Sequence, residues 1–385
     1  MTAVYLDHNA TTPVDARVWA AMEPYLRERY ANPSSIHRAG RLVRDAVEAA
    51  REQVAALVRA HPSQIIFTSG GTEANNLALK GAMAQARDRP LAVSAIEHAS
   101  VLAPARALAE QGYVLHLLPV DAQGRVDATG VAEAVRYSPR LVSVMAANNE
   151  TGVIQDTAGI AERVHEAGAL FHCDAVQAAC WLPLDFGGGG YDLMTLSSHK
   201  LYGPKGVGAL IAAHALELAP LLHGGGQERG MRGGTENVAG IVGFGLAAEL
   251  AGRERTERSA AARALRDHLE RRLQAELPEI TIVGEAAAER LPNTVMVLVP
   301  GIDGEALLMH LDQADIAVSS GSACAAGSTE PSHVLAAMGL AGEEGRSAIR
   351  ISFGRANVTA DADAVVDALA SLLKRLRGLS LTAWA

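Results

Sequence analysis

The feature that most constrains this chain is a recurrence of short, almost wholly apolar runs separated mostly by stretches of helical periodicity. Gln64–Thr68, Leu91–Ala95, Tyr113–Leu117, Leu141–Met145 and Ala169–Phe171 read as strands of this kind. Strands that are apolar throughout, rather than alternating, belong to parallel sheets covered by helices on both faces. The pattern therefore predicts an α/β fold with a mainly parallel sheet. Ligands of such sheets bind outside the carboxyl ends of the strands. Thr72, His98, Asn149, Asp174 and Lys200 all fall at or just after a predicted strand end.

Two further apolar runs, Tyr191–Leu196 and Gly206–Ile211, flank Ser197-Ser198-His199-Lys200-Leu201-Tyr202-Gly203-Pro204-Lys205. Lys200 thus stands on a tight connection between buried strands, an unusual place for a long charged side chain. An ordinary lysine lies on a surface loop. One held among apolar strands can lose its charge and condense with an aldehyde. Ser197 and His199 are placed to hydrogen-bond a phosphate beside it. The combination points to a Schiff-base lysine for pyridoxal phosphate.

The preceding strand supports the same chemistry, because Ala169–Gln177 carries His172, Asp174 and Gln177. A carboxylate against the pyridinium nitrogen keeps that ring protonated, as an electron sink must be. Asp174 is the candidate; alone it reads as a helix cap, but beside Lys200 it reads as the ring partner. Upstream, the turn Ser69-Gly70-Gly71-Thr72-Glu73 joins a strand to a helix starting near Ala74. The first N–H groups of a helix lack partners and favour an anion, so Gly71 and Thr72 form either a phosphate cradle or a plain cap. His98 is either a capping or core histidine, or a ring that stacks on the cofactor and moves protons.

At 385 residues the chain is long enough for a packed core and two domains. Its 49% hydrophobic and 20% charged residues are ordinary for a soluble globular protein. A net charge of −9 argues against a general nucleic-acid binder, and no apolar run is long enough for a membrane span. The N-terminus lacks the basic-then-apolar pattern of a signal peptide. Cys173, Cys180 and Cys324 are too few for a disulfide framework and have no metal-ligand spacing, which fits a reducing cytoplasm.

The remaining chain reads as punctuation around this sheet. Asp15 caps a helix, and Arg41–Ala60 is an amphipathic helix. Gly224–Gly234 is too rich in glycine for a regular element and needs a ligand or neighbour to hold it. A long helix is expected over Glu254–Leu277. Ile280–Val283, Thr294–Val299 and Ile349–Phe353 then read as strands, with helices from Asp303 and Asp361. These predict a smaller α+β domain, 256–385 with 1–14, beside a large domain of 15–255.

Several motifs together carry a family resemblance. They are Tyr5-Leu6-Asp7-His8-Asn9-Ala10-Thr11-Thr12-Pro13, Asn32–His37, Gly71–Asn76, Asn148-Asn149-Glu150-Thr151-Gly152, Asp174–Gln177, Ser197–Lys200 and Gly224–Gly230. The series resembles, nearly end to end, the cysteine desulfurases of pyridoxal-phosphate fold type I. That resemblance implies a large domain on a mainly parallel, seven-stranded-type sheet and a homodimer. It also implies L-cysteine as substrate, and as partner an iron–sulfur scaffold or other sulfur acceptor.

The segment Ser319–Ser328 contains only small residues around Cys324 and reads as mobile, with too little apolar surface to anchor it. A thiol there can reach a substrate and withdraw, whereas Cys173 and Cys180 read as structural. Ser320–Cys324, with Glu330–Val334 behind it, resembles the group I desulfurases of nitrogen fixation and iron–sulfur assembly. Ala325-Ala326 departs from the Ser or Thr usual after the cysteine. The resemblance implies a persulfide on Cys324, Lys200 as the cofactor lysine and α-proton base, and His98 as proton shuttle. It further implies Arg350 on the substrate carboxylate with Asn149 nearby, and Gln177 on the cofactor's phenolic oxygen. Gly71, Thr72, Ser197 and His199 would hold the phosphate, with Thr235 reaching it from the partner subunit. A selenocysteine lyase or another enzyme of this fold, such as an aminotransferase, is the alternative.

Overall fold

The computed structural model describes residues 4–320 and 332–382. The chain opens with β1 (Val4–Tyr5), α1 (Ala16–Arg27) and α2 (Arg38–Leu57). Strands and helices then alternate: β2 (Ile65–Thr68), α3 (Gly71–Met83), β3 (Leu91–Ser94), α4 (Ala99–Glu110), β4 (Leu115–Leu118) and α5 (Ala128–Val135). The alternation continues through β5 (Leu141–Ser143), α6 (Thr157–Glu166) and β6 (Leu170–Asp174), and the pair β7 (Leu193–Ser197) and β8 (Gly208–Ala212) ends it. After α7 (Val238–Glu276) come β9 (Thr281–Ile282), β10 (Thr294–Leu298), α8 (Gly304–Asp312), β11 (Ile316–Ala317) and β12 (Ser319–Ser320). The last described elements are α9 (His333–Ala337), α10 (Glu343–Arg346), β13 (Ala348–Ser352) and α11 (Thr359–Thr382).

Seven strands form the large sheet in the order β2-β8-β7-β6-β5-β3-β4. The five from β7 to β4 are mutually parallel, and β8 runs antiparallel to both its neighbours, so that β2 points the same way as the five. The expected mainly parallel sheet is therefore present. Its apolar runs are explained by burial on both faces: every residue of β3, β5, β7 and β8 is buried. Only β4, at the edge, is open, and its Leu117 is exposed.

Flanking helices bury one stripe each. α2 turns Val43, Val47, Ala50 and Val54 inward at three- and four-residue spacing. Asp15 caps α1 by accepting the Arg17 N–H at 2.9 Å, as its position predicted. The long helix differs from expectation. It is one element from Val238, not a segment beginning at Glu254. Its early glycines look like helix breakers, yet they serve close packing. A Cβ at Gly243 would lie 2.6 Å from Met22 Sδ, and one at Gly245 would lie 2.6 Å from Ala50 Cα.

The glycine-rich 224–234 loop contains a short 3-10 turn, Gln227–Gly230, and is held largely by its own chain. Glu228 is buried in a two-bond pair with Arg51, 2.8 Å for each contact, and also accepts the Phe67 N–H. That pair holds Glu228 and Arg229 at φ of +45° and +59°.

A second, antiparallel sheet runs β12-β13-β10-β9, and β1 pairs with β11 beside it. Its core gathers Leu6, Leu269, Leu273, Val295, Val297, Leu307, Ile351, Phe353 and Leu369. The N-terminal residues thus pack with the C-terminal part of the chain. Among the described residues no helix is long and apolar enough to cross a membrane.

Candidate active site

The large sheet's strand ends and β13 enclose a cavity of about 340 Å³. Its wall includes Thr72, His98, Asn149, Asp174 and Lys200, the residues placed at strand ends by the sequence, together with Gly71, Gln177, Ser197, His199 and Arg350.

Lys200 closes a short 3-10 turn, Ser198–Lys200, directly after β7. The Gly-Pro turn behind it has a steric reason. A Cβ at Gly203 would come within 2.0 Å of Ser198 Oγ, so only glycine lets the chain fold back tightly. Tyr202 takes φ of +65°, with its N–H bonded to Thr12 Oγ1 and its ring between the Arg258 and Arg355 guanidinium groups. Held in this way, the Lys200 amine donates to the carbonyl oxygens of Asn9 and Ala10, the latter at 2.8 Å.

Asp174 ends β6 and is buried. Its Oδ1 accepts the Val176 N–H at 3.0 Å, and its Oδ2 accepts from Asn75 Nδ2 at 2.7 Å. Those bonds present a fixed carboxylate to the cavity, as a ring nitrogen requires. His98 has the cap contact of the first of its sequence readings and lies at the cavity. It caps α4, its Nδ1 accepting the Ser100 N–H at 3.1 Å, and its ring lines the cavity. Burial pushes its pKa below the ordinary histidine value; Asp174 opposes this, and Lys200 and His333 add to it.

The cavity end at the start of α3 is built largely from bare backbone. Gly70 caps α3 without a side-chain bond, and a Cβ at Gly71 would already press Val176 Cγ2 at 3.2 Å. The open α3 N-terminus beside Thr72, Ser197 and His199 suits an anion. His199 bonds Thr11 Oγ1 at 3.2 Å, and burial beside Lys200 and Lys205 lowers its pKa to about 4.

Arg350, on β13, is 2% exposed. Its Nη1 donates to the Asn149 carbonyl at 3.0 Å and its Nη2 to Asp7 Oδ1 at 2.7 Å. Its Nε is buried with no partner among the described residues. Gln177 donates to the Asn9 carbonyl at 2.8 Å. Thr235 is not in this cavity; it lines a separate cleft with Phe67, Ser69 and Arg232. Cys324 lies outside the described residues, while Cys173 and Cys180 are buried thiols whose pKa values burial raises.

Several participants escape a sequence reading. Asn75 and Ser100 are buried on α3 and α4 and join Asp174 to His98. Glu150 lines the wall and accepts from Ser332; burial raises its pKa to about 7, with Ser332 and Arg350 opposing. The polar pair Asn75-Asn76 inside an apolar helix was the one available signal. Among the described residues no cluster of side chains is arranged to hold a metal ion. An amine, a fixed carboxylate, an uncapped helix N-terminus and a guanidinium at the cavity wall together fit pyridoxal phosphate and an amino-acid substrate.

The class-V aminotransferase family matches residues 4–365. "Cysteine desulfurase 2" of Trichormus variabilis is 46% identical over 381 residues, covering 99% of this chain and 95% of its own. "Cysteine desulfurase" of Gluconacetobacter diazotrophicus is 45% identical, covering 99% and 96%. Among solved structures, a "NifS-like protein" superposes with a TM-score of 0.91 at 37% identity, covering 97% of this chain and 100% of that one. A matching fold and 46% identity over nearly the full length place this chain in the class-V aminotransferase family, among its cysteine desulfurases.

Proposed function

We propose that the protein is a pyridoxal-phosphate-dependent cysteine desulfurase that takes sulfur from L-cysteine and releases L-alanine. The observation that carries this reading is the convergence of Lys200, Asp174, His98 and Arg350 on one cavity. When bound, pyridoxal phosphate supplies an electron sink that lets the substrate α-carbon lose its proton. Arg350, at the cavity wall, holds the substrate carboxylate, with Asn149 fixing the guanidinium through its carbonyl. Lys200 Nζ is the attachment amine and then the base for the α-proton. Asp174 would hold the proton on the ring nitrogen, and Gln177, one of whose amide hydrogens bonds Asn9, would offer the other to the phenolic oxygen. His98 carries protons between the reacting centres. Gly71, Thr72, Ser197 and His199 bind the phosphate, with Thr235 of the partner subunit.

Cys324 is the sulfur acceptor. Its thiolate attacks the substrate sulfur, forming an S–S bond while the substrate C–S bond breaks. The electron pair stays on carbon and is protonated, so the products are a persulfide and alanine. Both neighbours of residues 321–331 support this reading. Ser319 pairs with Arg350 in the β12–β13 ladder, and Ser332 bonds Glu150 in the cavity wall.

The chain divides into a large domain, 15–255, and a smaller one, 1–14 with 256–385, with α7 bridging the two. The separate core around Leu6, Leu269 and Val295 supports this division. Trp19, Leu26, Tyr30, Ile36 and Leu42 are exposed on and between α1 and α2, which supports a homodimer. Delivery of sulfur to an iron–sulfur scaffold or another acceptor in the cytoplasm completes the reading. The test is the purified holoenzyme with L-cysteine, measuring alanine and protein persulfide. Cys324→Ser should keep the cofactor and the absorbance change on substrate addition, but reduce alanine and persulfide to background. Wild-type alanine and sulfide from that variant would remove Cys324 from the chemistry. Turnover that required a keto acid would make the protein an aminotransferase.

A further inference from the structure

Asn75, on the second turn of α3, is 1% exposed and stands between Asp174 and Ser100. Its Nδ2 donates one hydrogen to Asp174 Oδ2 at 2.7 Å and the other to Ser100 Oγ at 2.8 Å. A carboxylate oxygen only accepts, so the amide has one possible orientation. That orientation leaves Asn75 Oδ1 buried without a partner among the described residues, a cost borne to keep both donors in place. The Ser100 hydroxyl, having accepted from Asn75, directs its own proton to His98 Nδ1 at 2.7 Å. The Ser100 backbone N–H points at the same nitrogen. With two donors on Nδ1, the hydrogen-bond network assigns the ring proton to Nε2.

We infer that Asn75 and Ser100 are positioning residues that join Asp174 and His98 in one directed hydrogen-bond chain and hold His98 as the Nε2–H tautomer. The inference rests on the reading of His98 as proton shuttle. A histidine serves that role only if its proton sits on a defined nitrogen, and the Ser100 hydroxyl and N–H, both donating to Nδ1, define it. The groups facing His98 are Asp174 from β6, Lys200 after β7 and His333 from α9. Burial favours the neutral imidazole, Lys200 and His333 act the same way and Asp174 opposes them, and the bonds at Nδ1 select between its two tautomers.

The experiment uses the pyridoxal-phosphate holoenzyme and L-cysteine, with kcat and KM measured across pH. Ser100→Ala should lower kcat about tenfold with KM changed by less than about twofold, the loss of one directed hydrogen bond at the reacting centre. Removing a donor from the neutral ring favours its protonation, so the acid limb of kcat should move up by about half a pH unit. Ser100→Thr restores the hydroxyl and should restore both. Asn75→Ala should move the same limb. In a His98→Gln background Ser100→Ala should cost nothing further. An equal loss in that background, or an unchanged pH profile in both single variants, overturns the inference while leaving His98 in its role. Wild-type turnover by His98→Gln would instead remove the shuttle, and this inference with it.

Discussion

Replacing Glu97 with glutamine changes one heavy atom in the floor beneath the site and should reshape the protein's stability against pH. Glu97 is fully buried where β3 ends. Its Oε1 accepts from Ser94 Oγ at 2.7 Å and from the Met145 N–H at 2.6 Å, while Oε2 has no partner among the described residues. Burial pushes its pKa from 4.5 to about 8; Asp174 adds to this, and the Ser94 and Met145 bonds oppose it. The native state therefore holds a proton that the unfolded chain has lost between those values. The stabilisation linked to this proton is complete below 4.5 and disappears as pH rises through about 8. At about 1.4 kcal/mol per pKa unit, the loss between pH 5 and pH 8 comes to roughly 3.5 kcal/mol. Glutamine keeps the Oε1 acceptor and cannot titrate, so Glu97→Gln lacks this slope. For a chain of 385 residues, that difference moves the melting temperature by about 4 °C. Melting of both holoproteins is followed by calorimetry from pH 5 to pH 8. The advantage of the variant should grow by about this amount, all other titrating groups being common to both. Parallel curves would refute the reasoning, because Glu97 would then be ionised in the fold and partnered by something other than Ser94 and Met145.

Lys200→Ala should leave the fold and the phosphate contacts in place but abolish the near-visible absorbance of lysine-linked cofactor, with turnover at background. Retention of that absorbance would mean that another amine, Lys205 first, carries the cofactor. The exposed apolar side chains of α1 and α2 and the separate position of Thr235 predict a dimer in solution. Sedimentation showing an active, cofactor-loaded monomer would contradict it.

The fold class was legible because burial on both faces leaves a direct mark on composition. Strands such as Leu91–Ser94 and Leu141–Ser143 are apolar throughout, and a parallel sheet covered by helices is what such strands form. The site was legible in part for a related reason. Lys200, Asp174 and His98 are polar residues at the ends of those strands, where a sheet of this kind binds its ligand. What the sequence did not disclose depends on which distant atoms meet. The first turns of α7, from Val238, fell outside the helix expected over Glu254–Leu277, and only the proximity of Met22 and Ala50 shows that their glycines are packing surfaces. The 224–234 loop was expected to need a ligand or neighbour to hold it, but that Arg51, far away in the chain, anchors its Glu228 is visible only in the structure. Asn75 and Ser100 are ordinary helix residues until the sheet brings Asp174 and His98 to either side of them. Local periodicity determines which residues form strands and helices, whereas hydrogen-bond partners separated by many residues exist only once the sheet order is set. Tertiary structure therefore decided which polar groups became machinery and which became scaffold.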